Sequence, residues 1–204
     1  MIKISCRFRQ FLAAGLLGGL LAATPALRAD DTSPANGVKF PFVIYEDQGS
    51  TNNHFAPSGW MGNTGGIQAD DGCTNNPHGG TTCLRFAYTA PAQWGGVVWQ
   101  DPVNDWGDVP GGWNLTGAAR LSFWARGEKG GEIVSFKFGI LGADKKYSDS
   151  ATGESTDLKL SPEWKRYTID LAGKDLTRVK TGFVWTLSGQ GHPVVFFLDD
   201  IRFE

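Results

Sequence analysis

The 204-residue sequence predicts an all-β fold, either a β-sandwich or a jelly roll. Seven short segments are rich in β-branched and aromatic residues, and several alternate apolar and polar side chains with a period of two. Glycine-rich turns separate them, and no segment repeats apolar residues at helical spacing. Many short strands without helices between them indicate two packed layers of sheet. The predicted strands cover residues 40–45, 84–88, 121–126, 133–138, 164–171, 183–187 and 194–201.

The first 29 residues have the three parts of a secretory signal peptide. Lys3, Arg7 and Arg9 precede an apolar run at 11–23, and small residues follow up to Ala29. The run is shorter than the roughly 20 residues that cross a bilayer. We therefore expect a secreted protein, extracellular or periplasmic, with no membrane contact after cleavage. The predicted organisation is a signal peptide at 1–29, a linker at 30–37 and one β-sandwich domain at 38–204.

Two cysteines, Cys73 and Cys83, follow the predicted signal peptide. An even pair in an exported protein predicts a disulfide. The small loop that it closes would restrict the unfolded chain by roughly 2.5–3 kcal/mol on the chain-entropy estimate. No second pair of cysteines or histidines stands at zinc spacing, so a zinc site is not favoured.

The longest stretch without a strand pattern runs over residues 47–82 and is rich in glycine and asparagine. A loop of that length in a compact domain indicates either a function or a bound ion. Calcium is one candidate ion, because it takes six to eight oxygen ligands from carboxylates and carbonyls. Asp47 follows the first predicted strand, Asp70 and Asp71 lie in the long stretch, and Asp199 and Asp200 follow the apolar part of the last strand. The spacing does not match an EF-hand.

Charge and motif content exclude several classes of function. A formal charge of −2 gives no case for nucleic-acid binding. The sequence has no His-Glu-x-x-His, no Gly-x-Ser-x-Gly and no phosphate loop. Paired carboxylates for glycoside cleavage remain open, with Asp101 and Asp105 as the first candidates. For a polysaccharide lyase the candidate groups are Arg126, Lys137 and Tyr147.

Eight tryptophans are the most unusual feature of the composition. A flat aromatic ring can bury the apolar face of a sugar, while polar side chains bind its hydroxyl groups. If the strands at 121–126 and 133–138 are neighbours, Trp124, Arg126 and Lys137 share an open sheet face. Trp164 and Trp185 are expected in the core. The candidate sugar platforms are Trp60, Trp106, Trp113 and Trp124, and the candidate polar contacts are Gln100, Asn104, Arg126 and Lys137.

Three segments of the second half resemble the galactose-binding-like jelly rolls that serve as carbohydrate-binding modules in secreted polysaccharide-degrading systems. They are LSFWARG at 121–127, EWKRYTIDL at 163–171 and FLDDI at 197–201. The resemblance implies a two-sheet antiparallel sandwich that binds sugar on its concave face or its edge loops. It also implies a structural calcium ion held by Asp47, Asp71 and Asp200, with Glu46 and Asp199 in reserve.

The leading hypothesis is a secreted, non-catalytic β-sandwich that binds a polysaccharide or cell-wall glycan as a monomer. The first alternative is a small jelly-roll glycoside hydrolase or polysaccharide lyase. The second is a surface or interaction protein whose aromatic residues all lie in the core.

Overall fold

Eleven antiparallel strands form two sheets in the computed structural model, which describes residues 38–204. Within that range the helical content is one 3₁₀ turn, Thr64–Gly66, and no helix is long and apolar enough to cross a membrane. The all-β prediction is therefore confirmed. The predicted signal peptide and linker, at 1–29 and 30–37, lie outside the described residues.

The first sheet, sheet A, contains the two ends of the described chain. Its strands are β1 (Phe42–Tyr45), β3 (Ile67–Cys73), β4 (Cys83–Tyr88), β6 (Arg120–Gly127), β9 (Lys165–Asp170) and β11 (Val194–Phe203). The central strand is β11, in the order β3-β4-β11-β6-β9, and β1 also pairs with β11.

The second sheet, sheet B, has five strands in the order β2-β5-β10-β7-β8. Its central strand, β10, pairs with β5 on one side and β7 on the other. The strands are β2 (Ala56–Gly62), β5 (Trp94–Gln100), β7 (Ile133–Phe138), β8 (Gly153–Lys159) and β10 (Thr181–Ser188).

Aromatic side chains from both sheets interlock in the core. Trp185 of β10 has its ring centroid 5.0 Å from that of Phe86 and 5.1 Å from that of Phe196, both of which belong to sheet A. Phe123 and Phe136 meet across the same interface at 4.6 Å. Full burial of a large apolar side chain stabilises the fold by roughly 1.5–3 kcal/mol. The prediction that Trp185 lies in the core is confirmed.

The sequence did not reveal four strands: β2, β3, β5 and β8. The stretch at 47–82, expected to be irregular, contains β2 and β3. Both lie at sheet edges, where one side of the strand faces solvent and β-branched residues are less needed. β5 lies inside sheet B, but Gly95 and Gly96 obscure its pattern.

The strands β6 and β7 are not neighbours, which corrects the expectation that they share an open face. The connection between them crosses from sheet A to sheet B. Trp124 and Arg126 therefore lie on the outer face of sheet A, whereas Lys137 lies on the outer face of sheet B.

Cys73 and Cys83 are free, buried thiols, so the predicted disulfide is not formed in the structure. Strand pairing nevertheless places the two residues directly opposite each other on β3 and β4. Burial, together with the neighbouring Cys73 and Asp199, raises the pKa of the Cys83 thiol to about 12. The pairing provides the close approach that a bridge requires.

We predict that Cys73 and Cys83 are oxidised to a disulfide in protein purified from an exporting host. Mass spectrometry without reductant should then find the intact protein two hydrogens lighter than after reduction. Reduction should lower the free energy of unfolding by roughly 2.5–3 kcal/mol, because the unfolded chain regains its freedom. A Cys73→Ser/Cys83→Ser variant should show no effect of reductant. Two free thiols in the exported protein would contradict the prediction.

Candidate functional site

A groove of about 560 Å³ crosses the outer face of sheet B. All five strands of that sheet contribute to it, together with the turn after β10. Its lining combines an apolar floor with hydroxyl, amide and charged side chains. The lining residues are Met61, Trp94, Ile133, Ser135, Lys137, Ile140, Asp157, Val184, Thr186, Leu187, Ser188, Gly189 and Gln190.

Gly96 lies opposite two lining residues of the groove, Met61 on β2 and Thr186 on β10, and has no side chain between them. A Cβ atom at this position would lie 2.6 Å from the carbonyl oxygen of Trp185, which belongs to the adjacent strand β10. It would also meet the Met61 methyl at 3.1 Å and the Thr186 methyl at 2.9 Å. A larger residue at Gly96 would therefore disturb the strand contact and raise the floor between the two flanking side chains.

Trp94 is the large aromatic side chain that the groove exposes, with half of its surface accessible (50%). Its backbone is fixed by Asn63, whose backbone N–H donates to the Trp94 carbonyl oxygen at 2.8 Å. Ile133, 42% exposed, adds a second apolar surface to the lining. The sequence prediction left Trp94 out of the site. The parity of β5 could have found it, since Val97 and Trp99 are buried in the core and Trp94 has the opposite parity.

Lys137 is the predicted site residue that the groove does contain. Its Nζ lies 2.7 Å from Glu154 Oε2 on the neighbouring strand β8. Ser135 and Asp157 lie beside it, and Asp157 donates its backbone N–H to Ser135 Oγ at 2.9 Å. Gln190 closes one side by bonding through its amide to both backbone groups of Ile133.

Gln100, Asn104 and Trp106 support a loop instead of lining the groove. Gln100 is buried and donates to the Asp105 carbonyl at 2.7 Å, while Ser58 donates to its side-chain oxygen at 2.9 Å. Asn104 is exposed at a φ of 57°, and its backbone N–H also donates to Ser58. Trp106 is half-buried against Gly59.

Trp60 and Trp113 also lie outside the groove lining. Trp60 lies on the edge strand β2 and is 41% exposed. It pairs with Val97 of β5, whose side chain faces the core, so Trp60 is not on the outer face that carries the groove. Trp113 packs against the core, with its ring centroid 5.0 Å from Phe42 and 5.3 Å from His54. Trp113 therefore packs on the core while part of its surface remains exposed and lines a separate cavity beside Phe42 and His54.

The outer face of sheet A is covered. Trp124 and Arg126 were expected to be open to a ligand, and they are not. The connection at 74–82 between β3 and β4 folds over them. His78 stacks on Trp124 with ring centroids 3.7 Å apart. Arg126 is buried, donates to the Asn75 carbonyl at 2.9 Å and lies 3.7 Å above the Phe197 ring. Trp164, expected in the core, packs in this outer cluster instead.

Two of the three predicted calcium ligands contact this same connection. Thr81 and Thr82 donate their backbone N–H groups to Asp47 Oδ1 at 2.8 and 2.7 Å, and these bonds lower the pKa of Asp47. Asp200 Oδ2 lies 2.7 Å from His78 Nδ1. Asp71 instead accepts from Gln48 at 2.9 Å.

The glycines of this connection bring the carboxylates of Asp47 and Asp200 close to its backbone. A Cβ at Gly79 would lie 2.8 Å from Asp200 Oδ2, and one at Gly80 would overlap the Asp47 carboxylate. Among residues 38–204 no group of three acidic, histidine or cysteine residues is arranged to hold a metal ion. A calcium ion at Asp47 and Asp200 would therefore need backbone carbonyls or water to complete its oxygen ligands. Bound there, it would tie the end of β1 to β11.

Asp105 forms a buried ion pair with Lys180 and does not face the groove. Its carboxylate also accepts from the backbone N–H groups of Gly107, Asp108 and Val109. Burial opposes the charge, but Lys180 and these amides outweigh it and lower the pKa of Asp105. By contrast, burial raises the pKa of Asp101. Of Asp101 and Asp105, the first candidates for glycoside cleavage, Asp105 is therefore held in a buried ion pair that stabilises the fold.

A search of protein-family models finds no match to this chain, and a search of curated proteins finds none. Solved structures do match. The family 30 carbohydrate-binding module of the cellulosomal cellulase Cel9D-Cel44B of Clostridium thermocellum is 16% identical, with a TM-score of 0.54 over 81% of this chain and 98% of the module. The family 11 module of cellulosomal cellulase Lic26A-Cel5E of the same organism is 13% identical, with a TM-score of 0.52 over 81% of this chain and 95% of the module.

These similarities show the fold of the chain, a β-sandwich jelly roll shared with carbohydrate-binding modules. The structural resemblance expected from the second half of the sequence is thereby confirmed. It extends over most of the described residues and includes strands that the sequence did not reveal.

We predict that Asp47 and Asp200 bind a calcium ion that stabilises the fold. A chelator should lower the melting temperature by several degrees, and added calcium should restore it, because the ion binds only the folded state. Asp47→Asn should remove the response to chelator, whereas Asp144→Asn in an exposed loop should preserve it. A metal content near zero after purification without chelator, with no thermal response, would contradict the site.

We predict that Asp105→Asn lowers the free energy of unfolding by about 3–5 kcal/mol, because it leaves the Lys180 ammonium buried without a counter-charge. Urea unfolding should measure the loss, and Asp105→Asn/Lys180→Met should recover part of it. The wild-type pair contributes fully above about pH 4, the ordinary pKa of aspartate. Its contribution is lost as the pH falls through the lowered pKa of folded Asp105. Equal acid sensitivity of wild type and Asp105→Asn would contradict this assignment.

Proposed function

We propose that this protein is a non-catalytic carbohydrate-binding β-sandwich that holds a segment of a polysaccharide in the groove of sheet B. The observation that carries the proposal is the half-exposed ring of Trp94 in a groove whose lining also has apolar, hydroxyl, amide and charged side chains. Sugars present apolar C–H faces edged by hydroxyls, and this lining matches both features.

The aromatic contact supplies the apolar part of the binding energy. A tryptophan buries on the order of 150–250 Å² when it is fully covered. Apolar area removed from water contributes about 25 cal/mol per Å². A sugar ring that covers part of the exposed half of Trp94 therefore supplies a useful fraction of the energy of a weak binding interaction. Ser135, Thr186 and Ser188 are among the lining groups that can bind sugar hydroxyls, since each side-chain hydroxyl both donates and accepts.

The size of the groove favours an oligosaccharide or polysaccharide over a single sugar. Its lining includes residues of both edge strands, Met61 of β2 and Asp157 of β8. Four strand spacings of about 4.8 Å separate these strands, which gives roughly 19 Å across the sheet. Several linked sugar rings fit that span. The fold shared with the carbohydrate-binding modules supports the same class of ligand.

Secretion and a monomeric state belong to this proposal, supported by the signal-peptide pattern at 1–29 and by a groove that one chain completes. Neither a nucleic acid nor a membrane is a proposed partner. Two candidate groups of the hydrolase or lyase alternative are unavailable, because Asp105 is engaged by Lys180 and Arg126 is covered, and Lys137 is the candidate that lies in the groove lining.

We predict that Trp94→Ala lowers the affinity for the bound glycan at least tenfold, because it removes the apolar surface on which a sugar ring stacks. Affinity electrophoresis followed by calorimetry, across glucans, mannans, xylans, galactans and uronans, should identify the ligand and measure the loss. The ligand should also shift the tryptophan fluorescence of the wild type.

Trp60→Ala is the matched control, because Trp60 is similarly exposed but lies outside the groove lining. It should bind like the wild type. Binding that depends on Trp60 and not on Trp94 would move the site away from the groove. Folded protein that binds no glycan, or that releases reducing ends or unsaturated products, would overturn the proposed function.

A further inference from the structure

We propose that Asp157 is the principal hydroxyl-binding residue of the groove and makes it selective for neutral glycans over glycans rich in uronic acid. This inference rests on the proposed function and deepens it. Asp157 carries the carboxylate of the groove lining, and the residues around it explain both how it is positioned and why its charge matters.

A β-bulge brings Asp157 into the lining. Val134 of β7 pairs with Leu158 of β8, and Phe136 pairs with Ser155, so two β8 residues stand opposite the single residue between Val134 and Phe136. Such a bulge redirects a side chain from the ordinary alternation of its strand. Asp157 has a φ of 52°, a left-handed conformation that aspartate tolerates better than most residues.

Ser135 fixes the backbone of Asp157 and lies beside one of its carboxylate oxygens. The Asp157 N–H donates to Ser135 Oγ at 2.9 Å, and Ser135 Oγ lies 3.4 Å from Asp157 Oδ1. Within residues 38–204, Oδ2 has no hydrogen-bond partner and the side chain is exposed. An ionised carboxylate accepts only, so this oxygen is suited to the hydroxyl donors of a sugar.

Glu154, which is not part of the groove lining, already compensates the charge of Lys137. Its Oε2 lies 2.7 Å from Lys137 Nζ. The negative charge of Asp157 is therefore in excess in the groove. A glycan with carboxylate groups meets this charge at short range, where screening by salt is incomplete. A neutral glycan meets the same group as a strong acceptor of hydrogen bonds.

The test compares two substitutions at Asp157 that both suit its positive φ. Asp157→Gly removes the side chain, and Asp157→Asn keeps its shape without its charge. Calorimetry would use the neutral polysaccharide that the wild type binds best and, in parallel, polygalacturonate and alginate. We expect Asp157→Gly to lose about tenfold or more in affinity for the neutral glycan, since it removes a charged hydrogen-bond acceptor.

Asp157→Asn should lose less affinity for the neutral glycan and bind the uronic-acid polymers more tightly than the wild type does. Asp170→Asn, on the opposite sheet, is the charge-matched control and should change neither affinity. Melting temperatures should remain close to that of the wild type, because glycine and asparagine both adopt this backbone conformation.

The outcomes separate the inference from the proposed function. Loss of binding in Trp94→Ala with wild-type affinity in Asp157→Gly would overturn the role of Asp157 and leave the groove as the site. A wild type that prefers uronic-acid polymers would overturn the selectivity. A folded wild type that binds no glycan would overturn both proposals together.

Discussion

Contact between the aromatic layers of the two sheets determines which side chains each sheet presents to solvent. Trp185 packs against both Phe86 and Phe196 of sheet A, and this contact fixes the inward parity of β10. Side chains alternate along a strand, so a shift of one residue would exchange the inner and outer sets. Val184 and Thr186 line the groove because Trp185 is held in the core. The composition of the groove is thus a consequence of core packing.

The two outer faces then differ because of one connection. On sheet A, the segment at 74–82 covers Trp124 and Arg126 by stacking and by hydrogen bonds from the side chains to its backbone. On sheet B no comparable segment covers Trp94 within the described residues. An aromatic residue on an outer face is thus available to a ligand only where no loop packs on it. Local sequence does not record which loop reaches which face.

Content of β-branched and aromatic residues, with alternation in several segments, was enough to predict seven strands, because their inward residues are large and apolar and the strands pack on the core. These patterns were not enough to predict which side chains line the groove. Of the eight predicted sugar contacts only Lys137 lies in the groove lining. From the sequence alone, Trp113 is as good a candidate for a sugar platform as Trp94, but in the structure its ring packs against Phe42. Whether an aromatic residue packs in the fold or lines the groove depends on which strands and loops lie beside it. Sequence order does not give these neighbours, since β6 and β7 are consecutive in the chain but belong to different sheets.

Three of the five strands that build the groove, β2, β5 and β8, are among those the sequence did not reveal. The reason is physical. The outer face of sheet B carries small or polar residues, such as Gly96 and Asp157, and these weaken the apolar pattern by which a strand is recognised. Asp157 also occupies a bulge, where alternation breaks down. Segments between well-predicted strands that resist assignment are therefore the places where a binding face of this fold is best sought.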